Sequence, residues 1–503
     1  MMRDPLAEAA HTHPDAPALL LSYFSHLGRD YAEYSFARLS QIAARLAARL
    51  ASVGAAPGVR LGLLLDHPHR AIELIHAAIR VKAVIVPLNT RLTAEELRHQ
   101  IAAADCALVL CDRSHEGVAM EACGAAAVYN VAPGLGSSAP PLPDEGYFAG
   151  IAADFQAVEV DLDAVQAIVF TSGTTGRPKG AQITYKNWIT SAQASAQRLG
   201  MSEHDRWLMS LPLYHVGGLS MIFRSCRDRS ALVVPPPSRE PHDLVRVIEA
   251  ERVTLASVVP TQLVRMLDAG LRRTESLRLI LVGGAAASPE LLCRCCSAGL
   301  PVAPTYGLTE AASQVATMLP EDACRKPGSA GKAIGDTHIR ILDASGALCS
   351  AGEIGEVVVY GSTVMKGYLG HPPVDPAVGF RTGDLGYLDD EGDLWIVQRR
   401  TDLIVTGGEN VYPSEVEAVL KSHALVADAC VVGIPDPEWG QKVAAMVVWQ
   451  RDSKASATAL SDYCRQHLAG YKAPRKWVFT EELPLTASGK VHRHKVAQMV
   501  ADG

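Results

Sequence analysis

Short apolar runs of strand character alternate with segments of helical period through most of this chain, and no other feature constrains the fold as strongly. The strand-like runs at 59–65, 83–86 and 107–110 are interleaved with two segments, 39–50 and 71–79, whose apolar residues recur at helical spacing. Two parallel strands need a crossover connection, which is usually a helix. The order therefore predicts an α/β fold with mostly parallel sheets.

The pattern changes toward the C-terminus. The alternation resumes at 165–170, and near 356–360 it gives way to short strands and turns, which predicts a small β-rich subdomain. A last α+β segment shows helices from Pro413 and Ala459 with strands between them, and its length of about 100 residues is ordinary for a domain. We predict three parts: an N-terminal body over 1–398, a hinge over 399–402 and a small, mobile C-terminal domain over 403–503.

Composition excludes several classes of protein. Of the 503 residues, 48% are hydrophobic and 20% are charged, a balance that allows a sizeable core and excludes a mainly disordered chain. The net charge of −7 gives no electrostatic reason to expect a nucleic-acid partner. The apolar runs fall well short of the roughly 18 residues that span a bilayer, so we expect no membrane span.

The eleven cysteines are odd in number and irregularly spaced. This pattern favours reduced thiols and a cytoplasmic location over a disulfide framework. The cluster Cys293–Cys296 contains a CxxC string but has no second Cys or His pair at zinc-site spacing, so we interpret it as helix packing.

The most specific local signal is the string Thr-Ser-Gly-Thr-Thr-Gly-Arg-Pro-Lys-Gly at 171–180, which directly follows an apolar strand. Its glycines let the backbone approach a phosphate, its hydroxyls donate hydrogen bonds and Lys179 supplies positive charge. It is not a Walker A loop, because Lys179 is followed by Gly180 rather than by serine or threonine. The residues predicted to bind phosphate are Thr171, Ser172, Gly173, Thr174, Thr175, Gly176 and Lys179.

With this string, the chain resembles the acyl-adenylate-forming superfamily, which includes acyl- and aryl-CoA ligases, adenylation domains of peptide synthetases and firefly luciferases. The resemblance covers nearly the whole chain. Each matching string alone has an ordinary structural explanation as a turn or a loop, but together they follow the order of the family. The strings are Pro212–His215, Gly283–Ala285, Tyr306–Glu310, Thr382–Asp384, Arg399, Gly407–Pro413 and Pro484–Lys490.

The resemblance implies a role for each matching residue. His215 lies beside the acyl pocket, and Glu310 holds Mg²⁺. The residues implied to contact the nucleotide are the adenine turn Gly283, Gly284 and Ala285, the stacking Tyr306 with Gly307, the phosphate-binding Thr309, and the ribose-binding Asp384 and Arg399.

By the same resemblance, Lys490 is the catalytic lysine of adenylation. The C-terminal domain then rotates about the hinge, carrying Lys490 away and bringing the loop of Gly408 in to form a tunnel for the pantetheine arm of coenzyme A. The hinge position is Thr401, where many relatives have Asp or Lys. The basic residues Lys472, Arg475 and Lys476 are either contacts for the nucleotide phosphates of coenzyme A or a solvated turn.

The chemistry explains why these groups are needed. A carboxylate acylates poorly because its leaving group is oxide, and attack on the α-phosphate of ATP replaces oxide by AMP while pyrophosphate leaves. A protein assists such a transfer mainly by positioning and charge neutralisation. A lysine between the two anions cancels their repulsion and stabilises the transition state. The implied co-substrates and cofactor are ATP, coenzyme A and Mg²⁺, and the implied catalytic residues are His215, Thr309, Glu310 and Lys490.

The segment after His215 is expected to form a helix that lines the acyl pocket. Gly217, Ser220 and Arg224 are spaced at i, i+3 and i+7, which places them on one helix face. The small residues leave room for a ring or a chain, and a guanidinium among apolar neighbours can recognise a second substrate carboxylate. An ion pair with another helix is the alternative explanation of Arg224.

The strings at 306–314, 326–332 and 438–441 most resemble the 2-succinylbenzoate–CoA ligases of menaquinone biosynthesis. That substrate has two carboxylates, which fits a pocket with one additional cation. The chain departs from this subgroup at 283–288, Gly-Gly-Ala-Ala-Ala-Ser, where a longer glycine run is usual. The alternatives are another aryl- or medium-chain acyl-CoA synthetase, a stand-alone adenylation enzyme that loads a carrier protein, and a nucleotide-dependent acyl binder without turnover. A small carboxylic acid is the expected partner in each case, and a homodimer is compatible with the sequence.

Overall fold

The structure is a computed structural model that describes residues 1–25, 28–124, 126–131, 137–143, 155–171, 178–236, 239–398, 403–450, 456–485 and 491–502. Two compact units make up the chain. The first consists of Met1–Thr90, Ile101–Phe170 and Gly180–Gln398, and the second of Arg91–Gln100, Thr171–Lys179 and Arg399–Gly503. The predicted hinge over 399–402 lies outside the described residues, so the predicted division there stays a prediction.

Several helices begin at a proline, which fits the first helical turn because its missing N–H has no partner there in any helix. The helices are α1 (Pro5–Thr12), α2 (Phe36–Ser52), α3 (Pro68–Arg80), α4 (Ala94–Ala103), α5 (Glu116–Ala122), α6 (Tyr185–Leu199), α7 (Val216–Asp228), α8 (Pro241–Ala250), α9 (Pro260–Asp268), α10 (Pro289–Ser297), α11 (Pro320–Ala323), α12 (Pro413–Ser422), α13 (Ala457–His467) and α14 (Arg493–Asp502). Among the residues that the structure describes, none of these helices has the length and apolar character that crossing a bilayer requires.

Most of the strands in the large sheets are short, as the apolar runs of the sequence predicted. The strands are β1 (Met2–Arg3), β2 (Pro17–Ser25), β3 (Gly28–Ser35), β4 (Arg60–Leu64), β5 (Val84–Pro87), β6 (Leu108–Cys111), β7 (Ala127–Asn130), β8 (Glu159–Val160), β9 (Val165–Thr171), β10 (Lys179–Thr184), β11 (Arg206–Leu208), β12 (Ala231–Val234), β13 (Leu255–Val258), β14 (Leu279–Val282), β15 (Val302–Leu308), β16 (Ser313–Thr317), β17 (Lys332–Ala333), β18 (His338–Leu342), β19 (Gly355–Tyr360), β20 (Gly367–Tyr368), β21 (Phe380–Leu388), β22 (Leu394–Gln398), β23 (Ile404–Thr406), β24 (Glu409–Val411), β25 (Val426–Asp436), β26 (Gly440–Trp449) and β27 (Lys476–Thr480).

Two large sheets form the framework of the first unit. One has seven strands among the described residues, in the order β20-β10-β9-β5-β4-β6-β7, and the other has nine, in the order β17-β16-β15-β14-β13-β11-β12-β2-β3. Their central pairings are parallel, which confirms the predicted α/β class. Apolar faces of α2, α3, α6 and α7 meet strands of both sheets in one continuous core. In that core the rings of Trp188 and Phe223 stack at a centroid distance of 5.1 Å.

Polar residues connect the carboxyl ends of β4, β5 and β6. Thr90 Oγ1 donates to Asp66 at 2.8 Å, and the Asp66 N–H donates to Asp112 at the same distance. Burial alone would raise the pKa of Asp112, but hydrogen bonds from His115, the Asp66 N–H and Ser114 lower it to about 2. Asp112 is therefore ionised at neutral pH and holds these loops together at one edge of the sheet.

A four-stranded antiparallel sheet, β18-β19-β21-β22, forms the β-rich part of the first unit. The second unit contains an α+β segment whose sheet has the order β24-β23-β26-β25, with β27 added in parallel to β26. Helix α12 packs on β25, and α14 packs on β25 and β26. Both features agree with the predicted α/β class with smaller β-rich and α+β parts.

The structure corrects the expectation of reduced thiols for two of the eleven cysteines. Cys296, in the last turn of α10, forms a disulfide with Cys324, directly after α11, with their Cα atoms 6.1 Å apart. Within the cluster Cys293–Cys296, Cys295 is buried in the core as expected, and Cys293 is an exposed free thiol. The sequence could not indicate this pairing, because the two cysteines are 28 residues apart and are brought together only by the strands that precede their helices.

Removing this disulfide is expected to lower the free energy of unfolding. Cross-linking a loop of this length limits the unfolded chain, which stabilises the fold by up to about 3 to 4 kcal/mol. Urea unfolding of a Cys296→Ser, Cys324→Ser double variant measures the loss, with Cys293→Ser as the control on the same helix. Thiol titration of the denatured, unreduced protein should find nine free thiols. A count of all eleven would contradict the disulfide.

Candidate active site

Two predicted nucleotide-binding residues, Tyr306 on β15 and Asp384 on β21, are in direct contact. The Tyr306 hydroxyl donates a hydrogen bond to Asp384 Oδ2 at 2.7 Å, and both residues are buried. The Asp384 N–H donates to Thr382 Oγ1 at 3.1 Å, and the Thr382 hydroxyl donates to the carbonyl of Val357. The four-stranded sheet therefore holds the carboxylate of Asp384 against the end of β15.

The turn after β15 places the predicted Mg²⁺ ligand. Thr309–Ala311 form a short 3-10 turn, and the carbonyl of Glu310 accepts a hydrogen bond from the Met365 N–H at 2.8 Å. The Tyr368 hydroxyl donates to Glu310 Oε1 at 2.5 Å. Tyr368 belongs to none of the recognised strings, so sequence reasoning missed it.

The donor set around Glu310 fits Mg²⁺ bound together with a nucleotide. Among the described residues, no group of three or more His, Cys, Asp or Glu side chains is arranged to hold a metal ion. Protein sites for Mg²⁺ often supply only one or two carboxylates, and substrate phosphates and water complete the coordination. One oriented carboxylate at Glu310 matches that arrangement.

The predicted adenine turn follows β14 at the carboxyl end of a parallel strand, where α/β sheets commonly bind ligands. At Gly283 an added Cβ would lie 2.7 Å from Thr305 Cγ2, and Gly284 has φ +79°. Both positions therefore need glycine, one because of close packing and the other because of its backbone conformation. Ala285 follows them in the same turn.

His215 is the residue that precedes helix α7, and its carbonyl accepts hydrogen bonds from the N–H groups of Gly218 and Leu219. Its ring lies edge-on to Tyr214, with centroids 4.8 Å apart. At Gly218 an added Cβ would lie 2.2 Å from the carbonyl oxygen of Pro212. Glycine at 218 therefore allows α7 to begin this close to the preceding turn.

Arg224 lies two turns into α7 and is 1% exposed. Its Nη2 donates to Ser313 Oγ at 3.3 Å, and its guanidinium carbon lies 5.3 Å from the ring centroid of Trp207. Burial lowers the pKa of Arg224 to about 10, and the nearby Asp228 opposes this shift. The Nε of Arg224 has no hydrogen-bond partner among the described residues.

Among the described residues, these contacts include no ion pair between Arg224 and another helix. The charged neighbour of Arg224, Asp228, belongs to the same helix and pairs with Arg227. Gly217 and Ser220 precede Arg224 on α7, where the Ser220 hydroxyl donates to the Gly217 carbonyl at 3.1 Å. The buried guanidinium therefore has a donor, Nε, that lacks a partner among the described residues, and a buried polar group of this kind calls for an explanation.

The two ends of the predicted phosphate loop are described. Thr171 ends β9, Lys179 begins β10, and the Thr171 hydroxyl donates to the Lys179 carbonyl at 3.4 Å. Several predicted site residues lie outside the described part of the chain. They are Ser172, Gly173, Thr174, Thr175, Gly176, Arg399, Thr401 and Lys490.

In the second unit, Gly407 and Gly408 form the two-residue turn between β23 and β24. Their φ angles are +59° and +84°, and a turn with two positive φ angles matches the twist of a hairpin. The Gly407 N–H donates to the Trp439 carbonyl at 2.9 Å. The guanidinium carbon of Arg475 lies 4.2 Å above the centroid of the Trp439 ring.

The three basic residues predicted as contacts for coenzyme A differ in their surroundings. Lys472 is buried, and its Nζ donates to Glu96 at 2.6 Å and to Glu415 at 2.7 Å within the second unit. This burial contradicts both predicted roles of Lys472, as a phosphate contact and as part of a solvated turn. Lys476 donates to the carbonyl of Ala501, whereas Arg475 is exposed.

Comparison with known proteins identifies the family. The family model for the AMP-binding enzyme matches residues 6–369, and the model for the AMP-binding enzyme C-terminal domain matches residues 415–490. The 2-succinylbenzoate–CoA ligase of Bacillus licheniformis is 40% identical over 470 residues, which cover 92% of this chain and 94% of that protein. The enzyme of the same name from Bacillus subtilis is 37% identical over 466 residues, 92% of each chain.

Solved structures agree with this result. A double mutant of o-succinylbenzoate CoA synthetase (MenE) from Bacillus subtilis, bound to its product analogue OSB-NCoA, has a TM-score of 0.88 at 34% identity and covers 99% of this chain and 98% of its own. The same enzyme in complex with the acyl-adenylate intermediate OSB-AMP has a TM-score of 0.70 at 34% identity, with the same coverage. The amide bond synthetase McbA from Marinactinospora thermotolerans has a TM-score of 0.84 at 26% identity, covering 98% of this chain and 99% of its own. The chain therefore belongs to the AMP-binding enzyme family.

Proposed function

We propose that this protein is an AMP-forming 2-succinylbenzoate–CoA ligase. In the first half-reaction one carboxylate of the acid attacks the α-phosphate of ATP, which gives the acyl-adenylate and pyrophosphate. In the second, the thiol of coenzyme A attacks the acyl carbon, which gives the thioester and AMP. The observation that carries the choice of acid is Arg224, a buried guanidinium with an unpaired donor on the helix that follows His215.

The nucleotide is held by the pocket around Tyr306 and Asp384 in this proposal. Asp384 accepts from the ribose hydroxyls, and the hydrogen bond from Tyr306 fixes the orientation of its carboxylate. Gly283 and Gly284 let the backbone approach the base without a side chain between them. Tyr368 positions the carboxylate of Glu310 by its hydrogen bond.

Charge neutralisation is the main task of the reaction, because two anions must approach each other. Lys490 lies between the substrate carboxylate and the α-phosphate and cancels their repulsion in the transition state. Lys179 and the backbone of its loop hold the departing pyrophosphate. Glu310 would hold Mg²⁺, which supplies charge stabilisation on the phosphate oxygens when it is bound.

Arg224 selects an acid that has a second carboxylate. A planar guanidinium presents parallel N–H donors that match the two oxygens of a carboxylate. In a buried pocket the fixed positive charge favours a dicarboxylate, and an acid without the second carboxylate leaves the donors of Arg224 unpaired. The 40% identity to a 2-succinylbenzoate–CoA ligase supports the same substrate.

The second unit supplies the site for coenzyme A in this proposal. The Gly407–Gly408 turn approaches the pantetheine arm with its backbone, and the exposed face of Arg475, held by Trp439, meets the nucleotide phosphates. Arg475 is suited to this role because it is exposed, whereas Lys472 is buried and pairs with Glu96 and Glu415.

The proposal includes the division into a body over 1–398, a hinge over 399–402 and a C-terminal domain over 403–503. It also includes a cytoplasmic location, which the nine free cysteines support.

Thioester formation tests the proposed function. The purified protein is incubated with ATP, Mg²⁺ and coenzyme A, and with 2-succinylbenzoate, benzoate, malonate or octanoate, and each acyl-CoA is measured by mass spectrometry. We expect kcat/KM for 2-succinylbenzoate to exceed that for benzoate and that for octanoate by at least about a hundredfold, because neither acid has a second carboxylate to pair with the buried donor.

A reaction without added acid and a reaction without coenzyme A are the controls. Pyrophosphate exchange that does not depend on any acid would contradict a ligase. Equal kcat/KM values for benzoate or octanoate would contradict the assigned acid and favour another aryl- or acyl-CoA synthetase. Acyl-adenylate formation without transfer to coenzyme A would instead favour the loading of a carrier protein.

A further inference from the structure

The Cys296–Cys324 disulfide lies at the surface of the first unit. Cys324 is exposed and Cys296 is partly exposed, so a reductant in solution can reach the bond. Seven of the nine free cysteines are buried. One of them is Cys295 on the same helix, and burial raises the pKa of its thiol to about 11. Because the thiolate is the reactive form of cysteine, Cys295 is inert at neutral pH and the disulfide is accessible to thiol chemistry.

The exposure of this disulfide and the thiols around it distinguish it from a structural cross-link. Proteins of reducing compartments keep their cysteines as thiols, and the disulfides that do form there are usually transient, catalytic or redox-sensing. Structural disulfides of secreted proteins resist reduction, whereas exposed ones are the labile and regulatory ones. One accessible disulfide in a chain with nine free thiols therefore fits a bond that opens and closes.

On one side, the disulfide is connected to the predicted adenine turn by a single helix. The turn at 283–288 leads directly into α10, and the Ser288 hydroxyl caps this helix by accepting from the Leu291 N–H at 3.2 Å. Cys296 lies in the last turn of the same helix. A movement of α10 is therefore passed to the turn that contacts the base in the proposed function.

On the other side, the disulfide is connected to the sheet that holds Asp384. Lys326 follows Cys324 by two residues, and only 11% of its side chain is exposed. Its Nζ donates to Asp389 at 2.7 Å and also to Asp393. These two carboxylates belong to the turn that joins β21 to β22, and β21 carries Asp384.

The disulfide therefore joins two walls of the proposed nucleotide pocket, both within the first unit. One wall is the turn at 283–288, and the other is the sheet of Asp384. A site whose parts are held in place before the ligand arrives binds it with a smaller loss of conformational freedom. Once the bond is open, α10 and the segment after α11 are no longer cross-linked, and ATP has to order both.

We propose that the Cys296–Cys324 disulfide is the reaction site of a dithiol reductant, and that its reduction lowers the affinity of the protein for ATP. This inference rests on the proposed nucleotide pocket and adds a control to it. Neither the motif roles nor the two half-reactions assign a function to these cysteines.

The proposed reaction is a thiol–disulfide exchange in two steps. A thiolate of the dithiol attacks the exposed Sγ of Cys324, the S–S bond breaks, and Cys296 leaves as a thiolate that takes a proton from water. The second thiol of the reductant then attacks its own sulfur in the mixed disulfide and releases Cys324, which is protonated in the same way. The reductant is oxidised to a disulfide by two electrons, and both cysteines become thiols.

Equilibrium titration with ATP and Mg²⁺, without any acid, tests the inference with dithiothreitol as the reductant. We expect the Kd for ATP to rise about fivefold on reduction, at the low end of the coupling between sites in proteins, because the apolar packing of α10 remains. After dithiothreitol is removed, oxidised glutathione should restore the original Kd. Alkylation and mass spectrometry should show that Kd changes in step with the thiols of Cys296 and Cys324.

Two variants are the controls. Cys293→Ser removes an exposed thiol from the same helix and keeps the disulfide, so it should respond to dithiothreitol as the parent does. The Cys296→Ser, Cys324→Ser double variant should have the raised Kd both with and without dithiothreitol. Circular dichroism at the temperature of the titration checks that the reduced parent and the double variant are folded. If the double variant does not fold, the reversible reduction of the parent decides by itself.

Three results would overturn the inference and leave the proposed function intact. They are an equal Kd for the oxidised and the reduced parent, a disulfide that dithiothreitol does not open in the folded protein, and a rise in Kd on addition of dithiothreitol to the double variant as large as that in the parent. Failure of the oxidised parent to bind ATP would instead contradict the proposed function itself.

Discussion

Replacing Lys490 with alanine is expected to lower the rate of acyl-adenylate formation by about a hundredfold to a thousandfold, because removing one preorganised charge partner of a transition state has an effect of that size. The affinity for ATP should change little, because the nucleotide pocket around Tyr306 and Asp384 belongs to the first unit and Lys490 does not. Single-turnover formation of the adenylate measures the rate, and equilibrium titration with ATP measures the affinity.

The second half-reaction provides an internal control for Lys490→Ala. If the lysine acts only in adenylation, the variant should convert a chemically synthesised acyl-adenylate to the thioester at nearly the parental rate. Lys495→Ala removes an exposed lysine from α14 five residues later and should leave both half-reactions unchanged. Equal adenylation rates in Lys490→Ala and the parent would disprove the assigned role, as would equal losses in both half-reactions.

Replacing Arg224 with methionine is expected to reduce kcat/KM for 2-succinylbenzoate by about a hundredfold or more, because the second carboxylate would enter a desolvated pocket without its cation. Two analogues have a single carboxylate, 4-oxo-4-phenylbutanoate and 2-butanoylbenzoate. For the analogue that still reacts, kcat/KM should fall little or should rise, because methionine fills the space with an apolar chain. Comparison of kcat/KM for the three acids measures the effect. For 2-succinylbenzoate, kcat/KM of Arg224→Lys should lie between the values of the parent and of Arg224→Met, since lysine retains the charge but not the planar pair of donors.

Stability gives a second, independent result for Arg224. A fully buried guanidinium with few partners is costly to the fold, so Arg224→Met should unfold at a higher temperature than the parent while it loses selectivity. Arg227→Gln is the matched control, because it removes a guanidinium from the same helix at a more exposed position. A uniform loss of kcat/KM for all three acids in Arg224→Met would contradict a role in recognition.

Much of the local structure was predictable from the sequence. The strand-like runs at 59–65, 83–86 and 107–110 correspond to β4, β5 and β6 within one residue at each end. The hairpin β23–β24, strand β27 and helix α14 were not predicted. The first two are only three and five residues long, too short for a period to stand out, and α14 has little separation of polar and apolar faces.

The candidate site was predictable in its members but not in its contacts. The matching strings named Tyr306, Asp384 and Glu310, and the spacing along the helix after His215 named Arg224. They did not indicate that Tyr306 holds Asp384, that Tyr368 holds Glu310 or that Ser313 holds Arg224. The sequence did not indicate the partners of Lys472 either. Its position near Arg475 and Lys476 suggested a basic turn, but its Nζ donates to two carboxylates that are distant along the chain.

The order of strands and helices, the parallel sheets and the family of the chain were determined by the sequence alone, because apolar periods and motif strings depend on residues that are close along the chain. The tertiary structure alone decided the Cys296–Cys324 disulfide, the burial of Lys472 and the unpaired donor of Arg224. Each of these depends on which distant segments the folded sheets bring together, and on how much water remains around a charge once they have met. A single sequence records neither the contacts between distant segments nor the amount of water that remains around a buried charge.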